Sequence, residues 1–374
     1  MTQSIKMDNC VDHIDRISDL PGNVIDGILK HLNIRELVST SILSTKWRKM
    51  WMSVRELDFG YDFVSRFEDL DNHDLEILRI ISDVLLLHDG PIYKFSLETS
   101  PLSNLITTEY PNKWILFLSK RDIKLKDLQI LDYDRIDNII KMPSHIFSCE
   151  ELTRFRCSGF NLSVPPNFCG LKKLVDLCLE HNTYEFGALE NLVSGCPLLE
   201  KLSIILRGDM KPVCLKKAEN LIDLRITLCK DCTSGLIKSL PKIQRLTIIE
   251  PFGEKLYTDI ISPTQLISLK YLKLYGANLD ERKEVLYVVS VLKSASDLVE
   301  LDIKNQYCGG GSGGEQEPDR LEELECSSCC LSQLQTVNIC VGANFKHAMS
   351  LTHCAVKHFT GLIMYETSIS KRTR

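Results

Sequence analysis

The sequence has 374 residues, of which 44% are hydrophobic and 25% are charged. This composition is typical of a folded globular protein and excludes wholesale disorder and collagen-like structure. With 45 lysines and arginines against 50 aspartates and glutamates, the net charge is −5, so no overall basic field favours nucleic acid or an anionic membrane surface as a partner.

Three further features narrow the class of protein. The length suggests two domains, or one elongated array with an appendage. Apolar runs such as Val84-Leu85-Leu86-Leu87 stop well short of the roughly 18 residues that a membrane-spanning helix needs. The 15 cysteines are an odd number spread through apolar segments, and no secretory signal is visible at the start. We therefore expect a reducing cytoplasmic or nuclear compartment, no membrane partner, and cysteines that act as small hydrophobic residues.

The first predicted element is a helix that begins near Pro21, a residue that the first turn of a helix accepts. Its apolar residues recur at helical spacing and fall on one stripe, which consists of Val24, Ile25, Ile28, Leu29 and Leu32. We expect this stripe to be the apolar face of the helix.

Two more short helices are predicted before residue 52. Asn33 has the position of an N-cap and Glu36 completes a capping box, so a second helix should begin after Asn33. Its inward-facing residues are predicted to be Leu37, Val38 and Ile42. A third helix, Thr45 to Trp51, is expected after Ser44 as its cap.

Three helices within about forty residues hold more large apolar side chains than so small a unit can bury by itself. Trp47 and Trp51 both lie here, and tryptophan is enriched where a buried anchor meets a partner protein. One interpretation is that another protein completes this core. The alternative is that the helices pack against the rest of the same chain, and the pattern alone leaves both open.

From residue 92 onward, a pattern of the form apolar-x-x-apolar-x-apolar recurs. Its first positions are Ile92, Leu128, Leu152, Leu174, Leu199, Leu221, Ile243, Leu269, Leu298 and Leu334. From Leu128 these positions are 22 to 36 residues apart. Leucine-rich repeats are about 20 to 29 residues long, and insertions account for the two longest intervals, which come last. Because the last two apolar positions alternate with polar ones, each repeat should add one strand to a parallel sheet on the concave face of a solenoid.

The residues of the three helices resemble the F-box of plant F-box proteins. The resemblance covers about forty residues, from Leu20-Pro21 at its opening to Leu43-Ser44-x-x-Trp47-Arg48 at its close. In that family the F-box binds the Skp-type adaptor of a cullin-RING ubiquitin ligase. The resemblance implies that the adaptor-binding residues here are Leu20, Pro21, Ile25, Ile28, Leu29, Leu37, Leu43 and Trp47. Asn33 departs from the pattern, because many relatives have a proline between the first two helices.

An F-box followed by leucine-rich repeats resembles the plant F-box/LRR proteins, many of which end in a segment called FBD. The stretch Cys330 to Ile339 looks like the first strand of that segment, and the likeness fades after Val341. The expected fold is therefore α/β, with an F-box at 12–58, a connector at 59–91 that is helical around residues 75–87, a solenoid at 92–340 and a divergent tail at 341–374.

The resemblance implies a substrate-recognition subunit of a Skp–cullin–F-box ligase, which positions a protein substrate and performs no covalent step itself. Residues on either side of the middle apolar position of each strand should lie on the concave face. The candidate substrate-binding residues are Arg154, Arg156, Lys201, Arg225, Arg245 and Tyr271. We hypothesise that an acidic or phosphorylated segment lies over them, and the alternative is an ordinary solvated charged face.

Other chemistries have weaker support in the sequence. The glycine-rich stretch 308–314 lacks the lysine and hydroxyl residue of a nucleotide-binding loop, and is interpreted as a surface insertion. Cys326 and Cys329 with His353 and His358 have a spacing that is too long for a typical zinc finger. We expect no catalytic residues, metal or cofactor. The alternatives that remain open are a scaffold without ligase coupling and a receptor for a small molecule.

Overall fold

The protein is described here from a computed structural model. The described residues are 17–67, 73–98, 109–132, 140–206, 215, 217–227, 242–249, 266–276, 282–304, 331, 333–341 and 362–366. The four cysteine and histidine residues considered above for zinc lie outside these ranges, and so does the glycine-rich stretch. Cys229 and Cys232, which also have Cys-x-x-Cys spacing, lie outside them too.

Helices are concentrated in the first third of the chain. They are α1 (Gly22–Leu29), α2 (Ile34–Ser39), α3 (Trp47–Met50), α4 (Tyr61–Val64), α5 (His73–Leu87), α6 (Tyr110–Leu118), α7 (Ala188–Ser194) and α8 (Arg282–Lys293). Short 3-10 turns span Thr40–Ile42, Trp51–Ser53, Ser65–Phe67 and Ser144–Ser148. The connector helix expected around residues 75–87 corresponds to α5.

The strands follow at nearly regular intervals. They are β1 (Glu56–Phe59), β2 (Lys94–Glu98), β3 (Asp127–Leu131), β4 (Ile140–Lys141), β5 (Arg154–Ser158), β6 (Phe160–Leu162) and β7 (Asp176–Tyr184) in the first half. The second half contains β8 (Lys201–Leu206), β9 (Asp223–Thr227), β10 (Arg245–Ile249), β11 (Tyr271–Tyr275), β12 (Glu300–Lys304), β13 (Thr336–Val341) and β14 (Leu362–Glu366).

Most of these strands form one continuous parallel sheet. Among the described residues its order is β1-β2-β3-β5-β7-β8-β9-β10-β11-β12-β13-β14, so neighbours in the sheet follow the chain order. The small strands β4 and β6 form a side ladder that joins β7. Each of the ten predicted repeats contributes one strand of the main sheet, which confirms the leucine-rich-repeat solenoid.

Alternation along each strand explains why the sheet has two different faces. In β9, for example, Leu224 and Ile226 are buried while Asp223, Arg225 and Thr227 are partly or fully exposed. The buried residues join a single hydrophobic cluster that extends from the N-terminal helices to β13 and includes residues of α5, α6, α7 and α8. The opposite side of the sheet, which presents the polar positions, is called the open face below.

The N-terminal helices are fixed to each other and to the sheet. The predicted capping box is present, because the Asn33 Oδ1 accepts a hydrogen bond from the Glu36 amide at 3.1 Å and the Asn33 amide donates to Glu36 Oε2 at 3.0 Å. Ser44 does not cap α3 directly, since that helix begins at Trp47. Its hydroxyl nevertheless accepts from the Trp47 amide at 3.3 Å.

The sheet extends beyond the predicted limits of the solenoid at both ends. β1 pairs with β2 and lies within the segment predicted to be the F-box and connector, while β14 lies within the predicted tail. The physical reason at the N-terminal end is that Leu57 and Phe59 alternate with Glu56 and Asp58, so this short stretch is itself a strand pattern. One strand of the sheet therefore lies beyond each of the predicted limits at residues 92 and 340, and the division into domains stays a prediction.

Candidate functional site

The first candidate surface consists of exposed apolar side chains on the N-terminal helices and the turns around them. We call it the N-terminal apolar surface, and its members are Ile17, Pro21, Val24, Ile28, Val38, Ile42 and Leu43. Ile42 is 85% exposed and Leu43 is 53% exposed, which is costly for residues of this size unless another molecule covers them.

The residues that the F-box resemblance implied for adaptor binding divide into two groups. Pro21, Ile28 and Leu43 are exposed and Leu20 is half-buried, so these four border the solvent. The others lie in the protein's own core; they are Ile25, Leu29, Leu37 and Trp47. The buried group shapes the surface from below, and the exposed group is accessible to a partner.

One expectation about these helices is wrong, and the structure favours one of the two alternatives that the sequence left open. Val38 and Ile42, predicted to face inward, are exposed. Val38 lies within α2, whose buried residues are Ile34 and Leu37, whereas Ile42 lies in the 3-10 turn that breaks the helical phase after α2 ends at Ser39. Trp47 and Trp51, considered as anchors for a partner, are only 1% and 6% exposed. The tryptophans therefore pack against the rest of the same chain, while other apolar residues remain uncovered.

Hydrogen bonds bring together the opening and the close of this motif. The hydroxyls of Ser18 and Ser44 are 2.8 Å apart, and Lys46 Nζ donates to the Ser18 carbonyl. These contacts connect the turn before α1 with the turn before α3. A shallow hollow of about 570 Å³ lies beside them, lined among others by Leu32, Ile42 and Leu43.

The second candidate surface is the open face of the sheet. At the first open-face position of successive strands the residues are Glu56, Lys94, Asp127, Arg154, Asp176, Lys201, Asp223 and Arg245, each in register with the next. Their charges alternate without exception, and we call this row the charge ladder. Because neighbouring strands lie about 4.8 Å apart, each acid except Glu56 on the end strand lies between two bases. Such opposite-charge pairs contribute roughly 0.2–1 kcal/mol each.

The arginine in the middle of the charge ladder is already neutralised. Arg154 Nη1 lies 3.0 Å from Asp127 Oδ2, and Arg154 Nε lies 3.4 Å from Asp176 Oδ2. Further along, burial raises the pKa of Asp223 and outweighs the opposing effect of the Arg245 and Lys201 charges. Asp223 is thus partly shielded from water, and the charge of Arg154 is satisfied by the two acids beside it.

Alternation ends where the sheet reaches β11. The Arg245 guanidinium lies 3.8 Å from the centroid of the Tyr271 ring, a cation–π contact in place of an ion pair. Lys273, the next open-face residue of β11, lies 3.4 Å from Glu300 on β12. The described cations in this part of the sheet therefore also have partners.

The next position along each strand has a different composition. In register from β3 to β11 the residues are Gln129, Arg156, Cys178, Ser203, Arg225, Thr247 and Lys273. We call this the second row, and over these strands it contains three cations and no acid. The six predicted substrate-binding residues all lie on the open face, with Arg156 and Arg225 in the second row and the other four in the first. Their role in binding stays a prediction.

Two acids that change the charge balance were missed from the sequence. Asp127 and Glu180 were left out when the open-face residues were selected, yet Asp127 contacts Arg154 and Glu180 Oε1 lies 3.9 Å from Arg225 Nη1. For Asp127 a signal was available, because it has the same repeat position as Arg154. Glu180 lies one position beyond the residues that were considered.

A large cleft lies where the helices meet the beginning of the sheet. It has a volume of about 1010 Å³, and its lining includes Lys30, Glu56, Asp58, Tyr61 and Lys94. Two ion pairs bridge its charged groups, Lys30 with Glu56 at 3.7 Å and Lys94 with Asp58 at 3.4 Å. Four of the charged groups in the cleft are therefore already paired with each other.

Three of the described cysteines are buried as small hydrophobic residues, whereas Cys169 is exposed and Cys178 is partly buried. Cys149, Cys157 and Cys196 are buried and free, and burial raises the pKa of Cys149 to about 12. Within the described ranges no cluster of three or more histidine, cysteine or acidic residues is suited to holding a metal ion. No helix in the same ranges has the length and apolarity needed to cross a bilayer.

Comparison with known proteins identifies the family. The model of the F-box domain matches residues 17–59, and the model named "FBD-associated F-box protein At5g56370, LRR repeats" matches residues 112–286. The F-box/FBD/LRR-repeat protein At1g13570 of Arabidopsis thaliana is 30% identical over 327 residues, which cover 77% of this chain and 76% of that protein. The chain belongs to the F-box/FBD/LRR-repeat family.

A second plant protein and one solved structure also align with much of the chain. The F-box/LRR-repeat protein At3g26922 of Arabidopsis thaliana is 28% identical over 292 residues, covering 78% of this chain and 82% of its own. Among solved structures, an internalin from Listeria monocytogenes aligns with 11% identity and a TM-score of 0.40, covering 74% of this chain and 68% of its own. The solenoid assignment of this F-box protein therefore depends on its own strand pairing.

The match to the F-box domain also clarifies the architecture. Residues 17–59 include the described N-terminal apolar surface and, in addition, β1 of the sheet. In this F-box/FBD/LRR-repeat protein the last residues of the F-box match therefore provide the first strand of the solenoid.

Proposed function

We propose that this F-box protein is a substrate-recognition subunit of a Skp–cullin–F-box ubiquitin ligase. The F-box would bind the Skp-type adaptor, and the open face of the repeats would hold the protein substrate. The observation that supports this function best is the N-terminal apolar surface, which lies within the F-box match and remains uncovered although the tryptophans below it are buried.

The energetics favour a protein partner for this surface. Burying one leucine or isoleucine side chain completely contributes about 1.5–3 kcal/mol. Ile42 and Leu43 together with the partly exposed Ile17, Val24, Ile28 and Val38 would therefore supply several kcal/mol on contact with an apolar groove. Ion pairs at an exposed rim contribute much less, so the apolar side chains would dominate the affinity.

The four buried members of the predicted adaptor site have a supporting role in this proposal. Leu29 and Leu37 lie beneath the surface on α1 and α2, and Trp47 fixes the start of α3. They hold the exposed residues in one arrangement before the adaptor arrives. A surface formed in advance loses less conformational entropy on binding, which increases affinity without new contacts.

The proposed role is positional. With one end bound to the ligase and the other to a substrate, the protein would raise the effective concentration of substrate lysines near the ubiquitin-loaded partner. The continuous sheet from β1 to β14 connects the two binding surfaces through hydrogen-bonded strands.

Co-purification of the full chain with a Skp-type adaptor tests the proposal. We expect a stable complex for the natural sequence and loss of that complex for Ile28→Lys, because Ile28 is exposed on α1 within the F-box match. The matched control is Leu86→Lys, which makes the same kind of change at an 80% exposed leucine of α5 outside that match. Absence of a complex with the natural chain, or equal loss in the control, would refute the assignment.

A further inference from the structure

The positive charge that remains on the open face is concentrated in the second row. From β3 to β10 the charge ladder contains three acids and three bases, whereas the second row on the same strands contains Arg156 and Arg225 and no acid. Residues between these two arginines are small, namely Cys178 and Ser203. Burial first, and then the neighbouring Glu180 carboxylate, raises the pKa of Cys178 to about 12, so the thiol adds no negative charge there.

Arg156 has unused hydrogen-bonding capacity. Its Nε is buried and has no hydrogen-bond partner among the described residues. Its Nη2 lies 3.7 Å from Asp176 Oδ2, an oxygen that Arg154 approaches more closely, at 3.4 Å. The first-row arginine therefore takes the better share of this carboxylate, and Arg156 is left without a hydrogen-bonded anion.

Arg225 is in a similar position on the other side. Its side chain is 49% exposed, and its nearest acid, Glu180, is 3.9 Å away, beyond hydrogen-bonding distance. Glu180 itself accepts a hydrogen bond from the Cys178 thiol at 3.4 Å. Near Arg225, the buried hydroxyl of Thr227 also lacks a partner among the described residues.

The spacing of the strands allows the two arginines to act together. β5 and β9 are three steps apart in the sheet order, which corresponds to about 14 Å between their backbones. Between them the short side chains of Cys178 and Ser203 leave room above the sheet for a group that both arginines can approach. Guanidinium groups donate in a fork that matches the oxygens of a phosphate or a carboxylate.

We propose that Arg156 and Arg225 form an anion-binding site for a phosphate or carboxylate group of the substrate. This inference rests on the proposed function, because it assigns the open face to the substrate. The proposal assigns substrate binding to Arg156 and Arg225. Arg154, Lys201 and Arg245 are less suitable, because each lies in register beside an acid of the charge ladder. The natural ligand is an anionic segment of a protein. The experiment below compares phosphate with carboxylate as the group that carries the charge.

The test uses the full chain in complex with the adaptor and three fluorescein-labelled degenerate peptide libraries. The libraries share their flanking positions and differ only in a central phosphoserine, aspartate or serine. By fluorescence polarisation, we expect at least one anionic library to bind about tenfold more tightly than the serine library, as expected for a charge-assisted contact. Equal binding of the phosphoserine and aspartate libraries would show that a carboxylate is sufficient for binding. Tighter binding of the phosphoserine library would show that the site prefers a phosphate.

Two double variants with the same change in net charge separate a site from general electrostatics. Arg156→Gln/Arg225→Gln should abolish the preference for the anionic library. Arg154→Gln/Lys201→Gln should change it by less than about twofold, because Arg154 is ion-paired with Asp127 and Asp176 and Lys201 lies in register between Asp176 and Asp223. If the first double variant does not fold, Arg225→Gln alone should reduce the preference.

Two results would overturn this inference. One is equal affinity of the natural complex for all three libraries, and the other is an equal loss in both double variants. Neither result bears on the ligase assignment, because every variant is first required to co-purify with the adaptor. Failure of that first step in the natural chain would instead refute the proposed function.

Discussion

Substitution of a buried and of an exposed residue of the F-box should have opposite consequences. Trp47 is 1% exposed, and replacing a buried aromatic residue by alanine costs about 3–5 kcal/mol because transfer energy is lost and a cavity remains. Trp47→Ala should therefore lower the free energy of unfolding by about that amount. Leu43 is 53% exposed, so Leu43→Arg should change the free energy of unfolding by less than about 0.5 kcal/mol.

The effect on adaptor affinity should be reversed. Covering the exposed half of Leu43 would contribute about 1 kcal/mol, and an arginine at an apolar interface adds the cost of removing a charge from water. We therefore expect Leu43→Arg to weaken adaptor binding at least about tenfold. Folded chains that carry Trp47→Ala should lose less affinity than Leu43→Arg, because the exposed contacts remain and only their ordering before binding is weakened.

Two measurements on the same proteins decide this prediction. Urea unfolding followed by circular dichroism gives the free energy of unfolding, and biolayer interferometry with the immobilised adaptor gives the dissociation constant. The reasoning is refuted if Leu43→Arg destabilises the chain as much as Trp47→Ala does. It is also refuted if Leu43→Arg leaves the dissociation constant unchanged.

Three further predictions concern local features. Asn33→Ala should lower the free energy of unfolding by about 1 kcal/mol through loss of the capping box, whereas Asn33→Asp should retain most of it; equal losses in urea titrations would contradict this. Gly159→Ala should lower the free energy of unfolding by about 1–3 kcal/mol, and with it the thermal midpoint. The reason is that φ is +82° and the added Cβ would lie 2.7 Å from the Asp132 carbonyl oxygen. An unchanged midpoint would disprove this. Iodoacetamide at pH 8 should modify exposed Cys169 before Cys178, whose pKa is raised to about 12 by burial, and peptide mass spectrometry would show the reverse order if this is wrong.

The repeat strands could be predicted from the sequence because their signal is periodic. Residues such as Leu224 and Ile226 occupy the same positions in every repeat, so weak local patterns reinforce each other along the chain. The first strand was missed because β1 has four residues and no repeat in front of it to establish the phase. The exposed state of Ile42 was missed for a related reason, since a 3-10 turn changes the helical phase without a glycine or proline to mark it.

Contacts between distant side chains were the part that the sequence could not supply. Asn182 is buried on β7, where its Nδ2 donates to the Cys157 carbonyl at 2.9 Å and its Oδ1 accepts from the Phe160 amide at 2.9 Å. Nothing in the local pattern distinguishes it from a surface asparagine. The charged residues of the ladder could be read from the sequence, but their pairing could not. Asp127 is seen to lie beside Arg154 only when the register of the strands is known.

Because β1 belongs both to the F-box match and to the sheet, the distance between the two partners proposed for this protein depends on the number of strands between their binding surfaces. Six steps separate β1 from β9, which corresponds to about 29 Å at the usual strand separation. Insertion or removal of one repeat before β9 would displace whatever Arg225 holds by about 5 Å relative to the ligase. The number of repeats would then determine which substrate lysine receives ubiquitin. Relatives with longer or shorter arrays would select different acceptor lysines on the same substrate.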